Sequence, residues 1–356
     1  MKIVLFEAGP LSAGRDAGTQ ADLDFIDGVR ALGHWILVLT EAEFRITDVI
    51  ATVRPDVLVI SRPGLFARLF AQVRHFAGPI VYLAHDVHHE RLRLQSEVGA
   101  ADETAWRVMQ MVERFCFESA TLSLLPTDED TSLVRERFPK SRVVAIPYFN
   151  MQRELDSAGN LPRITTPSGC NLVFIGGSSH HPNLDGMEWF TKTIIPQVAK
   201  TVEAFRVQLI GHWDPRATSR VAHQKISLLG VLDSQGVTSI LSSSDIGIAP
   251  LRFGSGMKRK VLHYMAHGIP VLSTSYGVQG LLNLDCEHSP NEVEGEVIPG
   301  VMLCNSADEW ISCCSLMSST PSLRKEMGQR GRAFISSHFS AESYLGALRQ
   351  MLSMVS

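Results

Sequence analysis

APLRFGSGMKRKVLHYMAHGIPVLST, residues 249–274, decides how the chain is built. An apolar strand ends at Ala249, and a Gly-Ser-Gly turn follows. A helix opens near Met257 and stops before Gly268, which fits the left-handed position past a helix C-terminus. Pro270–Ser273 then reads as the next strand. Strand, glycine turn, helix and strand in this order make one unit of a parallel α/β layer.

The same unit repeats outward in both directions. Upstream, candidate strands are Lys2–Phe6, Trp35–Leu39, Asp56–Ile60, Ile80–Leu83, Thr121–Leu125 and Arg142–Ile146. Helix-like stretches separate them near 20–32, 42–52, 64–76, 100–118 and 128–137. Around 150–170 the alternation breaks in MQRELDSAGNLPRITTPSGC, which predicts a linker. It resumes with Asn171–Ile175, Arg206–Ile210, Ile226–Leu229, Asp245–Ala249, Pro270–Ser273 and Val301–Cys304. Helices are expected near 184–200, 235–243, 258–267, 307–318, 322–334 and 341–354.

The expected fold class is therefore α/β, with two doubly wound, Rossmann-like domains facing a central cleft. The domains would be 1–155 and 169–340, with 156–168 as linker. A C-terminal helix is expected over 341–356. In this architecture ligands bind beyond the carboxyl ends of the strands, so the loops after strands carry the chemistry.

Composition agrees. The 356 residues are 45% hydrophobic and 20% charged, which excludes disordered and fibrous classes. Lys+Arg total 33 against 37 Asp+Glu, a net charge of −4, which argues against a nucleic-acid partner. The apolar run Ile3–Phe6 is too short for a signal-peptide core, and no stretch is long enough to span a bilayer. The six cysteines form no CxxC pair and have no zinc-ligand spacing, which suits free thiols in a reducing cytoplasm.

Four loops draw attention. GPLSAGRDAGTQADL, residues 9–23, holds Gly14, Gly18 and a possible N-cap, Thr19. It reads equally as a substrate-approach loop or a glycine turn. AHDVHHERLR, residues 84–93, gathers His85, Asp86, His88, His89, Glu90 and Arg91. Polar contact with a substrate comes first there, a solvated helix start second, and a metal site third, since HExxH spacing is absent. GGSSHHPNLDGMEWF, residues 176–190, ends a strand at Gly176 and Gly177, with Asn183 as the expected N-cap. The fourth loop is the opening stretch. Its helix begins with Lys258, Arg259 and Lys260, and cations there oppose the helix dipole by about 0.3–1 kcal/mol each. A bound phosphate would reverse that cost, with Arg252 and the amides of Gly254, Ser255 and Gly256 beside it. The alternative is exposed basic side chains whose stems cover apolar surface.

These residues carry a resemblance. GGSSHHPNLDGMEWF, LLGVLDS (228–234), SDIGIAPLRFGSGMKRKVLHYMAHGIPVLST and GVQGL (277–281) resemble the retaining glycosyltransferases of family four, glycosyl transferases group one, which have the GT-B fold. GRDAGTQADL and VYLAHDVHHER resemble the glycine and histidine loops of that family's acceptor domain. The resemblance implies transfer of a sugar from a nucleotide-diphosphate donor to a glycan, lipid-linked or protein acceptor, with retention and without a required metal. It implies that Arg252 and Lys258 neutralise the diphosphate, and that Ser255, Gly256 and the neighbouring glycines line the donor loop. It also implies that His88 or His85, beside Asp86, contacts the transferred sugar, and that the C-terminal helix packs back on the first domain. The family's paired glutamates are replaced by Ser255 and His263, and Gln279 stands where an acid is common. Donor binding is then altered, because a histidine does not accept as a carboxylate does.

A sugar-nucleotide epimerase and a catalytically silent partner subunit are the alternatives to the transferase. The segment SRPGLFARLFAQVRHF, residues 61–76, interleaves Arg62, Arg68 and Arg74 with apolar residues. It reads as a helix packed on the sheet, or as a peripheral contact with the inner face of a membrane.

Overall fold

The computed structural model describes residues 1–11, 17–40, 45–97, 99, 102–146, 149–159, 170–202, 204–282, 284 and 296–356. Gly14, Cys286 and most of the expected linker lie outside them. The chain divides into two compact units. The first comprises Met1–Asn150, Ser255–Met257 and Ala341–Ser356; the second comprises Met151–Gly254 and Lys258–Ser340.

The first unit is built on a six-stranded parallel sheet, in the order β2-β1-β3-β4-β5-β6. The strands are β1 (Lys2–Glu7), β2 (Trp35–Thr40), β3 (Val57–Ser61), β4 (Ile80–Leu83), β5 (Leu122–Leu125) and β6 (Val143–Ala145). Helices α1 (Ala17–Ala31), α2 (Ile46–Val53), α3 (Pro63–Val73), α4 (His88–Glu97), α5 (Glu103–Ser119) and α6 (Asp128–Arg137) connect them. β3, β4 and β5 are buried throughout, which is why they read as unbroken apolar runs. One core of this unit holds Phe66, Tyr82, Phe117 and Phe138 in edge-on and stacked contact.

In the second unit α7 (Gln152–Gly159) precedes a seven-stranded sheet of order β12-β13-β11-β10-β7-β8-β9. Its strands are β7 (Cys170–Ile175), β8 (Phe205–Ile210), β9 (Ile226–Gly230), β10 (Ile246–Ala249), β11 (Val271–Ser273), β12 (Glu296–Ile298) and β13 (Val301–Leu303). All neighbours are parallel except β12, which runs antiparallel on the edge. The helices are α8 (His181–Trp189), α9 (Ile195–Thr201), α10 (Pro215–Arg220), α11 (Ser234–Ser242), α12 (Arg259–Ala266), α13 (Ala307–Ser319) and α14 (Pro321–His338). Trp310 is wholly buried and meets Trp189 and Phe190 edge-on. α13 starts with a full capping box between Ser306 and Glu309.

α15 (Ala341–Ser353) belongs to the first unit and lies on α1. A Cβ on Gly28 of α1 would come within 2.7 Å of Leu348 and 2.8 Å of Tyr344. A larger residue there would force Leu348 and Tyr344 to shift.

Several local expectations need correction. α1 begins at Ala17, so Gly18 and Thr19 lie in its first turn and Thr19 is no N-cap. α8 begins at His181 behind His180, so Asn183 also lies inside the helix. Residues 152–159 are helical and group with the second unit, not with a linker or the first domain. Residues 88–93 of the loop 84–93 are helical, since α4 starts at His88. Gly268 has φ +67°, the left-handed position its place after α12 requires.

Candidate functional site

Each sheet has one point where the chain reverses its direction of winding. In the first unit it falls between β1 and β3, in the second between β7 and β10. Loops leaving the carboxyl ends there diverge and open a crevice, the usual ligand position in such sheets. Both points carry dense polar groups.

In the second unit β7 runs into Gly176 and Gly177, while β10 runs into Pro250–Gly254. Lys260 bridges toward the first of these loops. Its Nζ donates to Asn183 Oδ1 at 2.6 Å and sits 3.9 Å over the Phe174 ring. Asn183 in turn donates to the Gly177 carbonyl at 3.0 Å. A Cβ on Gly176 would meet Asn183 Nδ2 at 2.6 Å and Lys260 Nζ at 3.0 Å. Lys258 is buried and occupies the N-cap position of α12. It folds over Gly254, where a Cβ would lie 3.2 Å from Lys258 Cε and 3.5 Å from its Nζ. Burial, and then the charge of Lys258, push the Lys260 ammonium well below its ordinary pKa. Two lysines therefore converge on two glycine loops at the head of one helix.

The other two cations of the stretch are already engaged. Arg252 is exposed, and its guanidinium is held as a fork by Asp185 of α8. Arg259 NH2 donates to Glu154 of α7 at 2.5 Å. The stretch lacks acids of its own, but α7 and α8 supply them. The basic cluster is thus narrower than the sequence suggests. His263 faces His267, with ring centroids 5.1 Å apart. Burial, then His267 and Arg259, hold its pKa well below the ordinary value, so it stays neutral.

In the first unit the polar groups are mutually compensated. Glu113 of α5 is fully buried and receives the backbone N–H of His88 at 2.8 Å and of His89 at 2.9 Å. It also pairs with His89 Nδ1 at 2.6 Å and His88 Nδ1 at 3.3 Å. Asp86 lies 2.8 Å from His88 Nδ1 and accepts from Arg91 Nε at 2.8 Å. Ser255 Oγ donates to Asp86 Oδ2 at 3.1 Å, and a Cβ on Gly256 (φ +70°) would lie 3.0 Å from Asp86 Cβ. Burial opposes the Asp86 carboxylate, but His88 and Arg91 outweigh it and hold its pKa well below the usual range. Burial likewise opposes the His88 cation, yet Asp86 and Glu113 raise its pKa to about 9. His88 is an imidazolium at neutral pH, a fixed positive charge and no general base.

His85 is placed differently. Its Nε2 lies 2.9 Å from Ser61 Oγ and 3.1 Å from Asp22 Oδ1. Arg62 NH2 stands 3.8 Å from the other Asp22 oxygen. Arg62 has φ +68° and ψ 142°, a conformation that costs a non-glycine residue about 1–3 kcal/mol. Pro63, next in the chain, opens α3.

The structure thus brings His85, Asp86, His88, Ser255 and Gly256 together, and separately Gly177, Gly254 and Lys258. It leaves Gly18 in a helix turn, Arg252 on Asp185 and His263 on His267. The three loop histidines divide among Asp22, Asp86 and Glu113, and among the described residues no group of His, Cys, Asp or Glu is placed to hold a metal ion. Sequence reasoning missed Glu7, Ser61, Lys260's link to Asn183, and Glu113. An acid closing an apolar strand at the winding reversal is the signal that finds Glu7. Glu113 gives none, being 25 residues from His88 inside an ordinary helix. Among the described residues no helix is long and apolar enough to cross a membrane.

Known proteins share parts of this architecture. Residues 169–294 match the family model of glycosyl transferases group 1. An uncharacterised 44.6 kDa protein of the cps region of Klebsiella pneumoniae is 27% identical over 31% of this chain, so the chain spans 30% of that relative's length. Among solved structures, sucrose-phosphate synthase from Thermosynechococcus elongatus superposes with a TM-score of 0.76 at 15% identity, covering 100% of both chains. HepE of Anabaena, solved with UDP and glucose, gives 0.68 at 13% identity over 99% of this chain and 100% of its own. A glycosyltransferase from Rickettsia africae gives 0.69 at 12% identity over 99% and 97%. The chain therefore has the GT-B fold, and its residues 169–294 match glycosyl transferases group 1.

Proposed function

We propose that this protein is a glycosyltransferase that moves a sugar from a nucleotide-diphosphate donor to a glycan, lipid-linked or protein acceptor in the cytoplasm, with retention at the anomeric carbon. The observation that carries the reading is the convergence of Lys258 and Lys260 on the glycine loops after β7 and β10. The match of residues 169–294 and the UDP and glucose complex of HepE support it.

In this reading the second unit takes the donor. Departure of a nucleoside diphosphate leaves negative charge on phosphate oxygens, and buried cations aimed there lower the barrier most. Lys258 and Lys260 supply that charge, with backbone amides at the head of α12. Arg252 reaches the donor only by leaving Asp185, so it contributes less than its position in the sequence suggests. The first unit serves the acceptor and the transferred sugar. There Asp86 orients His88, and the imidazolium donates to a sugar hydroxyl as a fixed cation. His263, in place of an acid, offers one neutral ring nitrogen, which weakens any hold on a ribose diol.

Thermal shifts with UDP, GDP, dTDP and CMP, measured side by side, test the assignment. One diphosphate should stabilise the wild type by several degrees and leave Lys258→Ala unmoved. Equal shifts in both proteins, or none in either, would overturn the donor role of Lys258.

A further inference from the structure

α5 lies against α3 and α4, yet of its 17 residues only Glu113, Cys116 and Phe117 are buried. Those three share one side of the helix. Val108, Met111 and Phe115, spaced i, i+3 and i+7, fall on the opposite side and line up as one apolar stripe. They are 55%, 73% and 42% exposed. The neighbouring helix widens the stripe. α3 spends Leu65, Phe66, Leu69 and Val73 on the core, but Phe70 is only half-buried and meets Phe115 edge-on at 5.2 Å. A contiguous apolar surface of this kind, rimmed by polar residues, marks a contact with something else.

The rim is basic. Arg74 follows Phe70 by one helical turn, and Arg107 and Arg114 stand one turn before and after Met111. All three are exposed. From Ser61 to Phe76 the chain holds no acid. The exposed acids of α5 are Glu103 and Glu118. Glu103 lies 2.7 Å from Arg107 Nη2, but as an exposed i, i+4 pair it holds that arginine weakly.

We propose that this face of α3 and α5 rests on an anionic bilayer. Phe70, Val108, Met111 and Phe115 enter the boundary between headgroups and acyl chains, and the arginines meet lipid phosphates. A second copy of the chain fits the face less well, since a two-fold contact lays the same arginines against themselves, like charge on like. The amphipathic signal of residues 61–76 is thus mostly spent on the core, and α5 supplies the exposed apolar groups instead. The inference stands apart from the sugar-transfer reading, and its test needs no nucleotide sugar.

Flotation of the full chain with lipid vesicles is that test. Vesicles of phosphatidylcholine with about 30% phosphatidylglycerol should carry the wild type upward, and pure phosphatidylcholine should carry about tenfold less. Val108→Asp/Met111→Asp should weaken binding by about tenfold or more, with the thermal melt unchanged because both side chains face solvent. Arg74→Gln/Arg107→Gln should weaken it by about tenfold, and high salt should imitate that loss. If the aspartate variant fails to fold, the arginine variant and the salt series decide. No flotation with the anionic vesicles, or undiminished binding in either double variant, would overturn the proposal. So would a concentration-dependent dimer of the wild type, seen by sedimentation and dispersed in Val108→Asp/Met111→Asp, because the face would then seat a second copy.

Discussion

The polar cluster of the first unit and that of the second differ in how their charge is balanced. In the first, Asp86 and Glu113 each serve several donors, and His88, His89 and Arg91 are answered by them at 2.6–3.3 Å. In the second, Lys260 has an amide oxygen and an aromatic face but no carboxylate among the described residues, and Lys258 lies close enough to depress it. A network that compensates itself keeps its shape without a ligand. A buried cation that lacks an anion raises the energy of the unliganded protein and lowers it when an anion arrives. In the proposed reading the two clusters therefore serve different tasks, orientation in one and capture in the other.

That contrast breaks most visibly on stability. Glu113→Ala leaves the His89 imidazole and two backbone N–H groups without their acceptor inside the first unit. It should cost about 3–5 kcal/mol in chemical denaturation. Lys260→Met should do the opposite to the free protein, leaving stability unchanged or raising it, while nucleotide affinity falls. A large loss of stability in Lys260→Met would show that the second cluster is compensated too.

Next comes turnover. Lys258→Ala should reduce sugar transfer by about 100-fold or more while the fold, followed by circular dichroism, stays intact. A matching substitution in the first unit, Arg91→Ala, should act through Asp86 and cost less.

The pH dependence of stability follows with a smaller effect. The pKa of His88 is about 9 against an ordinary 6.5, so its contribution is complete below 6.5 and is lost as pH rises through 9. At about 1.4 kcal/mol per unit, the change amounts to roughly 3 kcal/mol at most. Asp86, held below 3.8, contributes above that pH and loses it as pH falls further. Urea midpoints from pH 5 to 10 should decline on the alkaline side in the wild type and stay flatter in His88→Gln.

The smallest signal is a proton. Lys260 is held below its ordinary pKa, so a diphosphate beside it draws a proton onto its amine. Titration calorimetry with UDP in two buffers of different ionisation enthalpy should show fractional proton uptake, abolished in Lys260→Met. Uptake that persists would place it on another group.

Much of this architecture was legible in the sequence, for a physical reason. Parallel strands buried on both faces must be continuously apolar, so Ile80–Leu83, Leu122–Leu125 and Ile246–Ala249 announce themselves within a residue of their ends. α4, with His, Glu, Arg and Gln dominating HHERLRLQSE, carries almost no apolar period and hides as a loop. The short edge strand β12 hides for lack of length. The candidate site was legible where several unusual residues lie close in sequence, as at Gly254–Lys258. It was not legible where a single acid from a distant element completes a cluster, as Glu113 does beside His88 and His89, because such an acid is unremarkable in its own window.

The position of α15 has a consequence for how the protein is made. The helix that covers Gly28 on α1 is separated from Asn150 by the 190 residues from Met151 to Ser340, all but three of which belong to the second unit. At about 5–20 residues per second, translation delivers it roughly 10–40 s after the rest of the first sheet. Through that interval the face of α1 that receives Tyr344 and Leu348 has no cover from α15, so the contact at Gly28 closes only after the second unit has been made.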